Sequence, residues 1–502
     1  MKIITMHHIL GNKVLEYDVD DRGVIVDERE IDRTVNPKPN IADWVKEHMV
    51  FWYDMTKPVD VYTQNFNDWQ NYNPNSVSIT NNKIVVNGLI DNFRIASIGK
   101  ETESFSVFIE GLGDKNLVYR VRLDENSGQI TNIKLKDGEN VLPHSFATTV
   151  AFMGVSGVTD YIGLTITQLP SGQSVPTNEI LKANPYLQDH SGNNRPLKLN
   201  NFLFAAMSGV GGYSLNAKSY HNRASTLEGT FNDYSVVITA KVKDILGLVW
   251  TENGIGDSNS VAVGKSLTRP AFTVTVEGMP DDLKWGLREE NANNKGNGTF
   301  EIPAYTYTNT TETTQTKFIG ITFSKSTFDN VNIKFTFQPL YPNALVTDGV
   351  DDYGQVQNLS QGVKMLFYTC NNFRLGQQLY DQRKVGYDNV TSSYFSIFAE
   401  SNSIAYNARN VDGSTYIDGV LNETIIADNL LEKKTTITIV NGSADSEKTG
   451  TPSFFSLYNN LGYFGTLAFY NSIGFDAVPT KETDGFTEQD LIDYVLENLI
   501  TK

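Results

Sequence analysis

Apolar positions along this chain recur mostly at period two, in short runs separated by turn residues. In the first 40 residues KIITMHHIL, KVLEYDV and GVIVDE read as short strands or an extended arm, closed by DRTVNPKPN. The stretch IADWVKEHMVFWYD, residues 41–54, changes period. Trp44, Val45, His48 and Met49 fall at helical spacing, which predicts a short amphipathic helix with His48 on its face rather than as a ligand. Residues 1–55 therefore read as an N-terminal arm plus a short helix.

From 56 to 175 the alternation is regular. NSVSITNNKIVVNG places Asn81-Asn82 as a hairpin turn between two strands, and NFRIASI, SFSVFIEGL, LVYRVRLD, ITNIKLKDG, FATTVAFMG and YIGLTITQLPSG follow at even spacing. That pattern predicts one β-sandwich. In SFSVFIEG, Phe105, Val107 and Ile109 share a face, and Phe108 on the other face suggests burial on both sides of that strand. Residues 176–200, polar and rich in Pro and Asn, read as a linker. A second β domain is expected over 201–340 and a last unit over 341–502. The last unit ends in a predicted helix at 488–500. Thr487 is its N-cap, Asp490 stands at the capping-box position, and Phe486 can staple onto Leu491 ahead of the stripe Leu491, Val495, Leu496, Leu499. The expected fold class is mostly β, with several antiparallel β-sandwich domains, a short N-terminal helix and a C-terminal helix.

A length of 502 residues with 40% hydrophobic and 11% aromatic residues supports several packed cores. Asp+Glu outnumber Lys+Arg by 58 to 41, a formal charge of -17. This argues against nucleic acid as a partner, since phosphate binding needs a positive field. The single cysteine, Cys370 in LFYTCNNF, excludes an intrachain disulfide framework and reads as a buried thiol. No signal-peptide core and no membrane span are expected.

Two stretches carry candidate chemistry. ALVTDGVDDYGQ gathers Asp348, Asp351 and Asp352 around Gly349. Adjacent Asp351 and Asp352 would point to opposite faces of a strand, which disfavours a catalytic pair. A turn that opens a strand, or a site for a hard cation such as calcium, remain the two readings. NFNDWQNYNPN presents Phe66, Asp68, Trp69 and Tyr72 among amides; these are candidate glycan or protein-interface contacts, with structural packing as the third reading. DVDDRG at 18–23 begins like a calcium loop, but Val26 and Arg29 stand where the loop needs oxygen ligands. The six histidines form no metal-ligand spacing, and neither a nucleophile elbow nor a phosphate loop occurs; MGVSGV at 153–158 has the wrong spacing. No catalytic residues and no resident cofactor are expected.

The last unit resembles the concanavalin A-like, or laminin-G-like, lectin superfamily. The resemblance rests on Leu345–Tyr353 as the opening DG strand and on Leu467–Phe475 with Phe486–Leu491 as the closing strand and helix. The superfamily's glucanase Glu-x-Asp-x-x-Glu strand is missing, so the resemblance implies binding or architecture rather than hydrolysis. Such modules are frequent in structural proteins of tailed, crAss-like bacteriophages, and the 56–175 sandwich resembles the carbohydrate-binding-like jelly rolls of phage fibres. The resemblance implies a virion structural protein, of the head-fibre, tail-fibre or head-surface type, assembled in the host cytoplasm. Its partners would be capsid or other virion proteins and host surface glycans, it would form a homotrimer, and residues 1–55 would dock to the particle. The alternatives are a capsid-assembly or decorating protein with no ligand, and a polysaccharide hydrolase.

Overall fold

In a computed structural model, the described residues are 4–10, 13–19 and 25–32, as backbone strands, and 40–500 with 81, 148, 156–158, 215–219, 223–226, 232–233, 242–245, 251–258, 291–292, 358, 360–361, 374–376, 384–395, 400–413, 422–430, 441–448 and 457–463 left aside. Strands dominate and every strand ladder is antiparallel; three helices lie among the described residues. The N-terminal pieces form a three-stranded meander, Ile4–Leu10, Lys13–Val19 and Ile25–Asp32.

The region read as a sandwich at 56–175 consists of two five-stranded sheets around one core. Eight of its strands follow in chain order as Lys83–Val86, Arg94–Ile98, Phe105–Glu110, Leu117–Val121, Thr131–Lys134, Gly138–Leu142, Val150–Gly154 and Thr165–Gln168. Numbered that way, one sheet runs 6-3-8-1 and the other 5-4-7-2. This is the double Greek-key connectivity of a jelly roll. Phe105, Val107 and Ile109 are buried as the alternation requires. Phe108 is not: it is 40% exposed on the outer face, because no second layer covers that sheet there. The middle unit packs a five-stranded sheet containing Ser235–Lys241 and Ile333–Phe337 against a four-stranded sheet containing Ile319–Phe323 and Trp285–Leu287, over a shared core. A buried ion pair joins Arg269 to Glu289 at 2.9 Å, and the two terminal guanidinium nitrogens each donate to a carbonyl, of Pro270 and of Pro303.

The last unit is larger than residues 341–502. Its eight-stranded sheet holds Leu467–Phe475, Met365–Asn372 and Lys434–Val440 at the centre, and Met49–Asp54 pairs along Leu467–Phe475. Its six-stranded sheet begins with Tyr186–Leu187 and Leu197–Asn200 and continues through Tyr353–Val356. Three sequence-based boundaries are thereby corrected. The helix predicted within 41–54 ends at His48, and the β-branched and aromatic run that follows forms a strand. Residues 176–200 are not a linker. Thr177 caps a helix over Asn178–Ala183, and Leu181, Leu187, Leu197 and Leu199 are buried in the core between the two sheets. Residues 202–213 also belong here: Phe202 and Phe204 join that core, and Gly209–Val210 pairs with Leu345–Val346. Gly209 is required by crowding, since a Cβ there would lie 2.2 Å from Asn178 Oδ1.

This scaffold is thus assembled from about 41–55, 177–213 and 341–500, with the jelly roll and the middle unit inserted into it. Both insertions leave and return at one place. Val59–Val61 pairs with Gly172–Ser174, and Leu340 and Tyr341 donate to the carbonyls of Gly212 and Gly211. The outer face of the larger sheet is covered by the helix Ile41–His48 and the terminal helix Glu488–Asn498, through Trp44, Val45, Phe367, Phe475, Ile492 and Val495. Trp44 Nε1 donates to Asp484 and His48 Nδ1 lies 3.0 Å from Asp476, so the first helix is tied to the far end of the chain. The terminal helix starts as predicted, with both arms of the Thr487–Asp490 capping box present. Cys370 is buried and its thiol is pushed up to about 12 by burial.

Candidate functional site

The stretch NFNDWQNYNPN divides into two parts. Asn65 caps a single turn over Phe66–Asp68, accepting from Asn67 N at 3.0 Å. That turn points Phe66 and Trp69 into the jelly-roll core, where both are buried and Trp69 stacks on Phe152 at 5.2 Å. These two expected surface contacts are corrected to packing. The reason is that the capped turn sets both rings against Phe105 and Phe152 in the core, where aromatic contacts hold them. Asn73 is likewise structural, accepting from Asp91 N and Asn92 N and donating to the carbonyls of Asn92 and Arg94. Asp68 stays exposed, with Lys100 at 3.3 Å. Tyr72 stands half-buried on the outer sheet face. Its hydroxyl accepts from Arg94 Nη1 at 3.1 Å and Ser97 Oγ at 3.2 Å and donates to Gln70 Oε1, and the Arg94 guanidinium lies 5.0 Å over its ring. The hydrogen bonds from Ser97 and Arg94 hold the phenol below its ordinary value.

The second stretch is a turn inside the scaffold. Gly349 takes φ +74, and Asp348 Oδ1 accepts from Val350 N at 2.8 Å. Asp352 is fully buried. One of its oxygens accepts from Asp348 N at 3.0 Å and the other from Ser208 Oγ at 2.9 Å. Burial pushes its carboxyl up to about 7, those two hydrogen bonds oppose the rise, and the charges of Asp348 and Asp351 add to it. Asp351 is exposed, and its carbonyl accepts from Asn201. One oxygen from each of Asp348, Asp351 and Asp352 lies within 4.8 Å of the others, close enough to share a cation. The hydrogen bonds above account for the turn by themselves, because Asp352 already has a donor on each oxygen. The pair Asp351 and Asp352 does not face a cleft from two sides.

Sequence reasoning missed a third place. Where the jelly roll leaves the scaffold, a cleft of about 330 Å³ opens between them. The jelly-roll side supplies Asp60, Tyr62 and Asn82; the scaffold side supplies Asn184, Tyr186 and Gln188. Its walls are pre-set. Gln188 Oε1 accepts from Asp60 N at 3.1 Å, Asp60 accepts from Gln173 at 3.1 Å, and Asn82 donates to the Tyr62 hydroxyl at 3.2 Å. Asp189, also at the cleft, commits both oxygens to main-chain N–H groups of Trp52, Ser191 and Arg195. It is therefore a positioned acceptor. Burial, then the Asp60 charge, raises the Tyr62 phenol, and burial raises Tyr186. Two rings, amides and fixed carboxylates suit a polyhydroxylated ligand: rings cover its apolar face while the polar groups bind its hydroxyls. The only signal in the sequence was the Asn/Asp/Tyr content of 184–196, which reads equally well as a polar linker.

No family model matches the chain, and no curated protein or solved structure is similar to it at a significant level. No helix among the described residues is long and apolar enough to cross a membrane.

Proposed function

We propose that this chain is a virion structural protein, a fibre or head-surface component, that adheres to host surface glycans without transforming them. The cleft between jelly roll and scaffold carries the adhesion reading, because it offers Tyr62 and Tyr186 beside fixed amide and carboxylate groups. The virion setting, the concanavalin A-like character of the scaffold and a trimeric state rest on the sequence resemblance. Adhesion by many copies needs only weak single contacts, since linkage multiplies them. Two features favour binding over hydrolysis: Asp189 is held in place by three main-chain donors, and Asp352 is sealed inside the scaffold.

The test is binding of the full chain to surface polysaccharide from a candidate host, with Tyr62→Ala/Tyr186→Ala as the altered protein. Removing both rings is expected to weaken binding about tenfold or more, at about 1–3 kcal/mol for each ring that covers a sugar face. Unchanged binding by the double variant would remove the cleft from the account. Release of reducing ends from the polysaccharide would replace adhesion with hydrolysis.

A further inference from the structure

The outer face of the jelly-roll sheet that carries Tyr72 also holds a cavity of about 290 Å³ lined by Arg94, Arg120 and Arg122. Gly128, Ile130, Ala147 and Thr149 complete its wall, and no carboxylate lines it. Three guanidiniums gathered without an acid are unexpected on a chain of net charge -17. None of the three forms an ion pair among the described residues. Their placement follows from the strand period. Tyr119 and Val121 point into the core, so Arg120 and Arg122 stand outward, and Arg94 comes from the strand Arg94–Ile98 beyond Val150–Gly154. The arginines are also partly pre-oriented. Arg122 donates to the carbonyl of Phe146 while its Nε is buried without a partner, and Arg94 is held by the Tyr72 ring and hydroxyl.

Like charges gathered in one cavity repel, and no carboxylate among the described residues pairs with them, which favours an external anion as their countercharge. The face around the cavity says what kind. Strand register sets Asn132, Arg120, Ala151, Ser97 and Gln70 in one row across all five strands of the sheet. Ala151 and Ser97 in that row are buried, so what it offers a ligand is half-buried Arg120 between exposed amides at its two ends, Asn132 and Gln70, about 19 Å apart at the usual strand spacing, a span that suits an extended polar polymer better than a single small ion. We infer that this sheet face binds an acidic polysaccharide, with a carboxylate or sulfate group of one sugar seated among Arg94, Arg120 and Arg122. The inference rests on the adhesion reading and adds a ligand class and a second contact surface to it.

The experiment measures binding of the full chain to polygalacturonate, to dextran sulfate and to unmodified dextran, for the native protein, Arg94→Gln/Arg120→Gln and Tyr62→Ala/Tyr186→Ala. Arg122 is left intact because it also supports the 146 carbonyl. Expected are binding to at least one anionic polymer and none to dextran, loss of about tenfold or more in the arginine variant, and weakening as salt is raised from about 50 to 300 mM. The arginine variant should keep the native melting temperature. Which polymer is preferred separates carboxylate from sulfate. Anionic-polymer binding that survives the arginine change but is lost in the tyrosine variant would overturn this inference and leave the adhesion reading standing. Absence of binding to both anionic polymers would overturn it too, and self-association lost in the arginine variant would then assign the cavity to carboxylates of a second copy. The adhesion reading itself stands or falls separately, on the host polysaccharide.

Discussion

The jelly roll and the scaffold are built from the same kinds of strand, yet they differ in how far apart along the chain their partners lie. Every ladder of the jelly roll closes within its own stretch, and its core residues run from Phe66 to Ile166. The scaffold pairs Met49–Asp54 with Leu467–Phe475 and ties Trp44 to Asp484, 440 positions away. Local closure costs little chain entropy, whereas a pairing across nearly the whole chain must wait for its last strand. Insertion of two units at hairpin-like necks reduces that cost, because each folded insert brings its own ends together. The lesson concerns function as well. The cleft with Tyr62 and Tyr186 exists only where insert meets scaffold, whereas the arginine face belongs to the insert alone.

The largest expected effect separates the two units. Phe51 is buried against Gly474, where a Cβ would lie 2.7 Å from its ring, and packs beside Tyr53 and Phe454. Phe51→Ala should destabilise the scaffold by about 3–5 kcal/mol. Trp69→Ala should do the same to the jelly roll. In thermal unfolding followed by hydrogen exchange, each variant should lower protection in its own unit and leave the other near native. Equal loss in both units from either change would mean that insert and scaffold unfold as one.

A smaller effect depends on pH. The Asp352 carboxyl is pushed up to about 7 in the folded protein, against an ordinary value of about 3.9. Between those values the folded state holds a proton that the unfolded chain has released. Scaffold stability should therefore fall as pH rises from about 4 to about 7 and level off above, by up to about 4 kcal/mol for a shift of that size. Asp352→Asn, which mimics the protonated acid towards Ser208, should flatten this slope and melt higher than the native protein at pH 8. Titration of melting temperature for both proteins checks it, and a parallel slope in the variant would remove Asp352 as its source.

The smallest effect concerns an element confined to the scaffold. Thr487→Ala removes the capping hydroxyl of the terminal helix and should cost about 1 kcal/mol. Fraying should be visible as faster exchange in residues 488–491, with the jelly roll unaffected. A loss of several kcal/mol would show that the cap supports the sheet beneath it as well as the helix.

By itself the sequence determined what short-range physics controls. Period-two alternation at Phe105, Val107 and Ile109 set the buried face of one strand, Thr487 and Asp490 set the start of a helix, and Asp348-Gly349 set a turn. These depend on neighbours within a few residues, so their pattern is written locally. Tertiary structure alone decided the rest. Phe66 and Trp69 look exposed among their amides and become core because one turn redirects them inward. Leu181, Leu187, Leu197 and Leu199 sit in a polar stretch without a clear period, and became interior only when two sheets closed around them. Arg94, Arg120 and Arg122 are unremarkable along the chain and converge only through strand register. Burial and convergence are properties of what lies opposite a residue in space, and in this protein the opposite partner is often a hundred or more residues away.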